Sequence, residues 1–415
     1  MSLYKGKNLT IEIFGASHAG EIGVKIWGLP CGEPADTDLI REFLDKRKPK
    51  TGLNTARREA DEPVISSGVS DGVTDGSVFC AVLKNTDVVK SDYVNLIPRP
   101  GHADYSAWTK YGRDFDMSGG GPFSGRMTAP LCIAGAVLKQ YLSRRGIEIS
   151  HRIVSIGGKN SDFENTVKAA KDEGDSTGGV IECTVSGVPA GLGGELFDGL
   201  DGLISSLCFA IPSVKGVEFG AGFAAANMRG SENNDGFCIR GGSIVTETNN
   251  HGGILGGISS GMPIVFRAAI KPTPTIGKPQ KTVNMETMTE TVYSFGGRHD
   301  PCIALRAGVC FEAAAAIAVA DQMISLEKSG DVGTLRSRID QIDREITELF
   351  TRRLELCERI GEYKKSHGLP VCDPAREAEK LNAVRADAGE DFAGETEELY
   401  REIMRICREY QDKIQ

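Results

Sequence analysis

The apolar positions divide the chain into two regimes. Beyond residue 334, Leu335, Ile339, Ile342, Ile346, Leu349, Leu356, Ile360 and Tyr363 follow a 4,3,4,3 spacing. That spacing predicts one long helix with an apolar seam. The seam position between Leu349 and Leu356 is Arg353, and Lys364 lies about three turns further on, projecting from nearly the same face. A buried arginine without a counter-charge costs several kcal/mol, so the seam asks for an anion. The plainer reading is an exposed edge whose arginine snorkels or pairs with a glutamate, and spacing alone leaves the two level. A second helix is predicted from Pro374 and a third over 396–414, with breaks at 368–370 and 389–394. Three such helices cannot bury all their faces alone, which predicts dimerisation.

Residues 1–330 read differently. Strand-like runs at 9–14, 78–83, 179–185 and 262–269 alternate with helical patterns at 37–47, 129–144 and 309–326. Between them lie glycine-dense segments at 15–23, 119–125, 191–202, 216–222, 252–261 and 296–297. Mixed strands and helices predict an α+β or α/β fold, and the glycines exceed what connecting loops need. The composition shift at 327–335 predicts a linker, dividing the chain into domains 1–328 and 329–415.

Composition sharpens this division. Residues 331–415 contain 35 charged residues and 5 glycines, against 70 and 46 in the preceding 330. Exposed-faced helices follow a glycine-rich, weakly charged body. No apolar run reads as long enough for the ~18–20 residues of a membrane span, and the start lacks a signal-peptide core. The 11 cysteines form no CxxC pair. Together these features predict a cytoplasmic protein with reduced thiols, no structural metal and no membrane. The net charge of −9 argues against nucleic acid, yet leaves room for an anionic small molecule held by local Arg and Lys.

Four histidines sit in tight turn sequences: His18 (GASHAG), His102 (RPGHADY), His251 (NNHGG) and His299 (GGRHDP). Without metal-ligand spacing around them, acid–base roles are more plausible than ligation. The runs GGGPFSGR and NHGGILGGISSG allow backbone N–H groups to approach a phosphate, although neither is a Walker or dinucleotide motif. The KPTPT turn at 271–275, directly after a strand, offers one cation and two hydroxyls as a phosphate clamp.

With these residues in view, the body strongly resembles chorismate synthase from about 8 to 326. The stretches GHADYSAWTKYG, SGVPAGLGG, KGVEFGAGF, NHGGILGGISSGMPIVFRAAIKPTPTI and GRHDPCIALRAG carry the resemblance. The tail from 334 resembles the all-helical chorismate mutase through LRSRIDQIDREITELFTRRLELCERIGEYKK and PVCDPARE. The implied architecture is α+β, a β-α-β sandwich, followed by an all-α module. The implied activities are successive: a 1,4-anti elimination of phosphate from 5-enolpyruvylshikimate 3-phosphate requiring reduced FMN, then rearrangement of chorismate to prephenate. NADPH or an external donor would reduce the flavin.

The first resemblance implies that His18 protonates the departing phosphate, His102 acts on the reduced flavin, and Asp300 assists substrate proton removal. Arg47 would hold substrate anions, with Arg57 as a replacement for a second arginine. FMN would meet Ser124, Gly125, Arg126, Glu232, Asn233, Gly256, Lys271, Pro272, Thr273, Pro274, Thr275 and Arg298. The second resemblance implies catalytic Arg353, Lys364 and Gln411. Arg336, Asp373, Arg376 and Glu377 would bind substrate, and Cys407 stands at a position usually occupied by serine. A homo-oligomer, dimer or tetramer, is implied.

Three departures qualify the synthase resemblance. Ala16 replaces an acid beside His18, Pro122 and Phe123 replace an Arg-Ser pair, and Met127 replaces a glutamate. They open a second reading, a body that retains the fold as a scaffold while only the mutase is active. A third reading makes the tail a helical oligomerisation module, which leaves Arg353, Lys364, Arg376 and Gln411 unexplained together.

Overall fold

The computed structural model describes residues 2–48, 61–86, 96–295, 300–328, 332–389 and 391–413. Backbone contacts divide it into two units, Met1–Lys328 and Ser329–Gln415.

The first unit encloses helices between two antiparallel sheets. One sheet has the order β1 (Ser2–Lys5), β2 (Thr10–Gly15), β3 (Glu21–Trp27), β7 (Phe79–Lys84), β4 (Val64–Ser67). The other runs β10 (Val214–Phe219), β15 (Ile264–Ile270), β9 (Gly179–Ser186), β8 (Glu148–Ile156). Short hairpins complete the strands: β5 (Val69–Ser70) with β6 (Val73–Thr74), β11 (Phe237–Arg240) with β12 (Ser243–Thr246), β13 (Ile254–Leu255) with β14 (Ile258–Ser259), and β16 (Gln280–Asn284) with β17 (Thr289–Tyr293). The helices are α1 (Thr37–Asp45), α2 (Asp104–Tyr111), α3 (Thr128–Ser143), α4 (Phe163–Asp172), α5 (Leu200–Phe209), α6 (Gly230–Asn233) and α7 (Ala304–Lys328).

Helix α3 packs on β2, β3 and β7, α7 packs on β8 and β9, and the two helices pack on each other. Gly135 sets how closely they meet, since a Cβ there would lie 2.3 Å from the Ala313 Cβ. Small residues on α7 (Ala313, Ala314, Ala315, Ala316, Ala318, Ala320), all fully buried, make this layered core possible.

Helix α7 corrects one expectation. It is 25 residues long and apolar enough to cross a membrane, and 89% of its apolar window is buried inside the protein. Its two buried acids are masked by pairing: Glu312 meets Lys139 and His151, and Asp321 accepts from the backbone N–H groups of Lys7 at 2.9 Å, Asn8 at 2.8 Å and Leu9 at 2.7 Å. Asp321 therefore staples the β1–β2 turn to the core. Asp321→Ala leaves three N–H groups without that acceptor and should cost at least about 3 kcal/mol. Both tryptophans, Trp27 and Trp108, lie in this unit. Urea unfolding followed by their fluorescence reads the loss directly, and a change within 1 kcal/mol, about the worth of one ordinary hydrogen bond, refutes the staple.

The second unit comprises α8 (Val332–His367), α9 (Pro374–Ala388) and α10 (Ala393–Asp412). Asp373 begins α9 by accepting from Arg376 N at 3.1 Å, with Pro374 in the first turn. Along α8, Ile339, Ile342, Ile346, Leu349, Leu356, Ile360 and Tyr363 are each about half exposed, so a single protomer leaves the seam uncovered. Arg353 turns away from that seam toward α10, where its Nη1 meets Cys407 Sγ.

Candidate active sites

The three glycines at 119–121 all take positive φ, at 59°, 88° and 52°. This turn brings together histidines that are far apart in sequence. A Cβ at Gly119 would lie 1.9 Å from His18 Cε1, and one at Gly120 would lie 3.4 Å from His102 Nε2. Side chains larger than hydrogen are excluded here by both backbone conformation and space.

His102 is oriented from behind. Its Nδ1 lies 2.7 Å from Asp104 Oδ1, and Arg99 holds the same carboxylate through Nε at 2.7 Å and Nη2 at 2.8 Å. Burial opposes the charge on Asp104, but hydrogen bonds from Arg99 and His102 hold its carboxyl well below the usual carboxylate range. With an ionised acceptor at Nδ1, the ring proton is held there and Nε2 is left facing the glycine turn.

The KPTPT turn adjoins this cluster. Lys271 Nζ donates to Gly101 O, and Arg99 Nη1 lies 3.4 Å from Thr275 Oγ1. Burial, with Lys215 nearby, lowers the Lys271 pKa, so two cations share a region that favours an anion. Thr273 Oγ1 is buried with no hydrogen-bond partner among the described residues.

Ser124 and Gly125 connect the glycine turn to an arginine cluster. Arg47, only 7% exposed, donates to Asp61 Oδ2 at 3.1 Å, to Thr128 Oγ1 at 3.0 Å and to Gly125 O at 3.4 Å. Arg126 pairs with the other Asp61 oxygen, while Asp300 pairs with Arg306, which also donates to Arg47 O at 3.3 Å. Among the described residues, three guanidinium groups thus face two carboxylates here. Ser124 itself accepts from Arg126 N at 3.3 Å, and Phe123 stands 39% exposed beside it.

Glu232 and Asn233 belong to a different loop cluster. Glu232 accepts from Arg229 N at 2.8 Å, and Asn250 Nδ2 bonds the backbone oxygens of both residues. Asp235 accepts from Thr248, Asn250 and His251; burial opposes its charge, but these bonds lower its pKa to about 2. The Asn233 Oδ1 is buried without a partner among the described residues, and Gly256, at φ 60°, borders open space. The described contacts of this cluster run to 248–251, not to His18 or His102. Arg57, Arg298 and His299 lie outside the described residues.

In the helical unit, Arg353 Nη1 reaches both Cys407 Sγ and, at 3.8 Å, Cys357 Sγ. Gln411 is buried and donates from Nε2 to Cys357 O at 3.0 Å. Burial, then contact with Cys357, pushes the Cys407 thiol up to about 11, so it is a neutral acceptor near pH 7. Lys364 Nζ donates to Val371 O at 2.7 Å and borders a concavity of ≈ 600 Å³ lined by Leu356, Arg359, Ile360, Tyr363 and Leu369. Two expected substrate contacts have other partners here. The Asp373 side chain caps α9, and Glu377 receives Arg408 Nη1 at 2.6 and 2.5 Å. Arg376 is exposed and pairs with Glu379 at 2.5 Å, and Arg336 is also exposed.

Comparison with known proteins gives these clusters a context. A family model described as chorismate synthase matches residues 9–324. The chorismate synthase of Lancefieldella parvula is 41% identical over 363 residues, covering 77% of this chain and 96% of that protein. The chain belongs to the chorismate synthase family. Another relative, from Methanocella arvoryzae, is 44% identical over 349 residues, covering 77% of this chain and 94% of its own length. A crystal structure of chorismate synthase superposes with a TM-score of 0.63 at 26% identity, covering 83% of this chain and all of that one. A second family model, chorismate mutase type II, matches 335–412. The chain therefore carries a synthase domain and a mutase domain, a lyase and an isomerase of the shikimate pathway.

Sequence reasoning missed the residues that orient or neutralise the named ones: Arg99, Asp104, Asp61, Arg306 and Lys215. A signal existed for two of them, since RPGHAD places an arginine and an aspartate three and two positions from His102.

Proposed function

We propose that the synthase domain eliminates phosphate from 5-enolpyruvylshikimate 3-phosphate with FMN bound beside the glycine turn. The single observation that carries this reading is the convergence of His18 and His102 on Gly119 and Gly120, with the Lys271 clamp alongside. The residues fit the cofactor chemically. Thr273 Oγ1 and Asn233 Oδ1 are buried polar atoms awaiting partners, and Lys271 with Lys215 suits a phosphate. Ser124, Gly125, Arg126, Glu232, Gly256, Pro272, Pro274, Thr275 and Arg298 complete the proposed cofactor set. Reduced FMN, when bound, supplies the transient electron on which the family's elimination depends.

The protein's own groups do the remainder. His18 delivers a proton to the departing phosphate, and His102, its Nδ1 proton held by Asp104, manages a proton at Nε2. The Arg47, Arg126 and Arg306 cluster receives substrate anions, with Arg57 as an added cation, and Asp300 assists proton removal. The mutase domain binds chorismate through Arg353, Lys364, Arg336, Arg376, Asp373 and Glu377, with Gln411 and Cys407 at the same turn. Pairing of two protomers through the uncovered α8 seam makes the protein an oligomer. We place it in the cytoplasm, which suits a chain whose 11 cysteines are all free.

The test is direct. Anaerobic protein with reduced FMN should release inorganic phosphate stoichiometrically with chorismate. Absence of phosphate at high protein concentration would sink the synthase mechanism and favour a scaffold role for that domain.

A further inference from the structure

The mutase site contains a feature that pericyclic chemistry does not use, a pair of thiols facing its arginine. Cys357 on α8 is 8% exposed and Cys407 on α10 is 5% exposed. Arg353 Nη1 contacts both sulfurs, which places the two thiols against one guanidinium nitrogen.

The helix geometry allows closer union. One turn further along both helices, Gly361 faces Gln411, and a Cβ added at Gly361 would lie 3.6 Å from the Gln411 Cβ and 3.7 Å from its Cα. Because 357 and 407 are each four residues before that contact, α8 and α10 run parallel in register there. Backbones this close at 361 and 411 bring the preceding turn, with Cys357 and Cys407, toward the Cα separations of about 4.4–6.8 Å that a disulfide spans.

We infer that Cys357 and Cys407 form a thiol-modification site that closes to an intramolecular disulfide on reaction with a small-molecule disulfide, switching off the mutase. One cysteine thiolate attacks a sulfur of the small disulfide and expels a thiolate. The second cysteine then displaces the remaining half, forming the Cys357–Cys407 bond. Two electrons pass from the cysteines to the small disulfide, and the two thiol protons end on the two released small thiols. The new bond removes the Cys407 S–H from Arg353 and pins α8 to α10 between Arg353 and Gln411. An alternative pair exists in the synthase domain, where Cys132 Sγ lies 3.9 Å from Cys310 Sγ. That pair sits in the α3–α7 core at 0% and 4% exposure, beside Arg47.

The effect on activity rests on the mutase assignment of these residues, whereas the bond itself does not. Full-length protein is incubated with oxidised glutathione, alkylated, digested without reductant and mapped by mass spectrometry, with prephenate formation assayed in parallel. A Cys357–Cys407 linked peptide, at least a tenfold loss of mutase rate and recovery with dithiothreitol are expected. Cys357→Ala should retain basal mutase activity and lose the oxidative inhibition. The proposal is overturned if no 357–407 peptide forms, if the link falls on Cys132–Cys310 instead, or if the linked protein keeps its rate. Equal inhibition of Cys357→Ala also overturns it, since a mixed disulfide on Cys407 would then suffice. A linked peptide in protein whose reduced form makes no prephenate leaves the bond standing and refutes the mutase reading.

Discussion

Replacing Arg353 by alanine is expected to lower kcat/KM for prephenate formation by about 10²–10³-fold or more. The rearrangement has no covalent intermediate and no proton transfer, so its rate depends on holding one conformer and stabilising charge on the breaking ether. Arg353 offers a half-buried guanidinium at the α8–α10 contact, one turn from Cys357 and two from Gly361 and its partner Gln411. Its described contact is a neutral sulfur rather than a carboxylate, so little of its charge is already spent. Arg353→Lys should recover only part of the loss, because an ammonium cannot present the planar fork. Phosphate release by the synthase domain of the same chain provides the folding control. Prephenate formation within threefold of the parent would show that the site lies elsewhere.

The contrast between Arg353 and the rest of its helix shows what a sequence can reveal. Periodicity located the helix, the seam and the anomalous arginine, because those depend on neighbours four residues away. It placed Arg353 in the seam itself, and the structure turns it toward α10 because Cys407 and Gln411, more than fifty residues distant, supply its neighbours. The synthase domain repeats this. Glycine density marked the 119–121 turn, and two of the histidines in tight turns, His18 and His102, lie against it. Asp61 beneath Arg47 and Arg126 is a pairing fixed only once loops from separate elements meet, whereas Arg306 meets Asp300 from only six residues away. Helix α7 was legible as a helix over 309–326 but not as the 25-residue apolar element it is. The partners that neutralise Glu312 and Asp321 lie up to 314 residues away.

Asp104→Asn isolates the most consequential of those unread pairings. The amide keeps the size of the carboxylate but no longer fixes the proton on His102 Nδ1, so Nε2 loses its defined state facing the glycine turn. Loss of an orienting carboxylate behind a catalytic imidazole costs about 10²–10⁴ in kcat. We expect that range for phosphate release, with the change in kcat and little in KM, since the Arg47 cluster proposed to receive the substrate anions is untouched. Arg99 retains its contact with Thr275, so the clamp at 271–275 keeps one of its anchors. A purely structural role for Asp104 predicts something else: a lowered unfolding midpoint and weaker binding of both substrate and FMN, with kcat per folded molecule preserved. Because Asp104 is charged throughout the physiological range, no change of pH between 6 and 8, far above the carboxylate range near 4, should rescue the variant. An Asp104→Asn protein that releases phosphate at the parent rate would remove His102 orientation from the mechanism, and with it the reason for an arginine and an aspartate to flank that histidine.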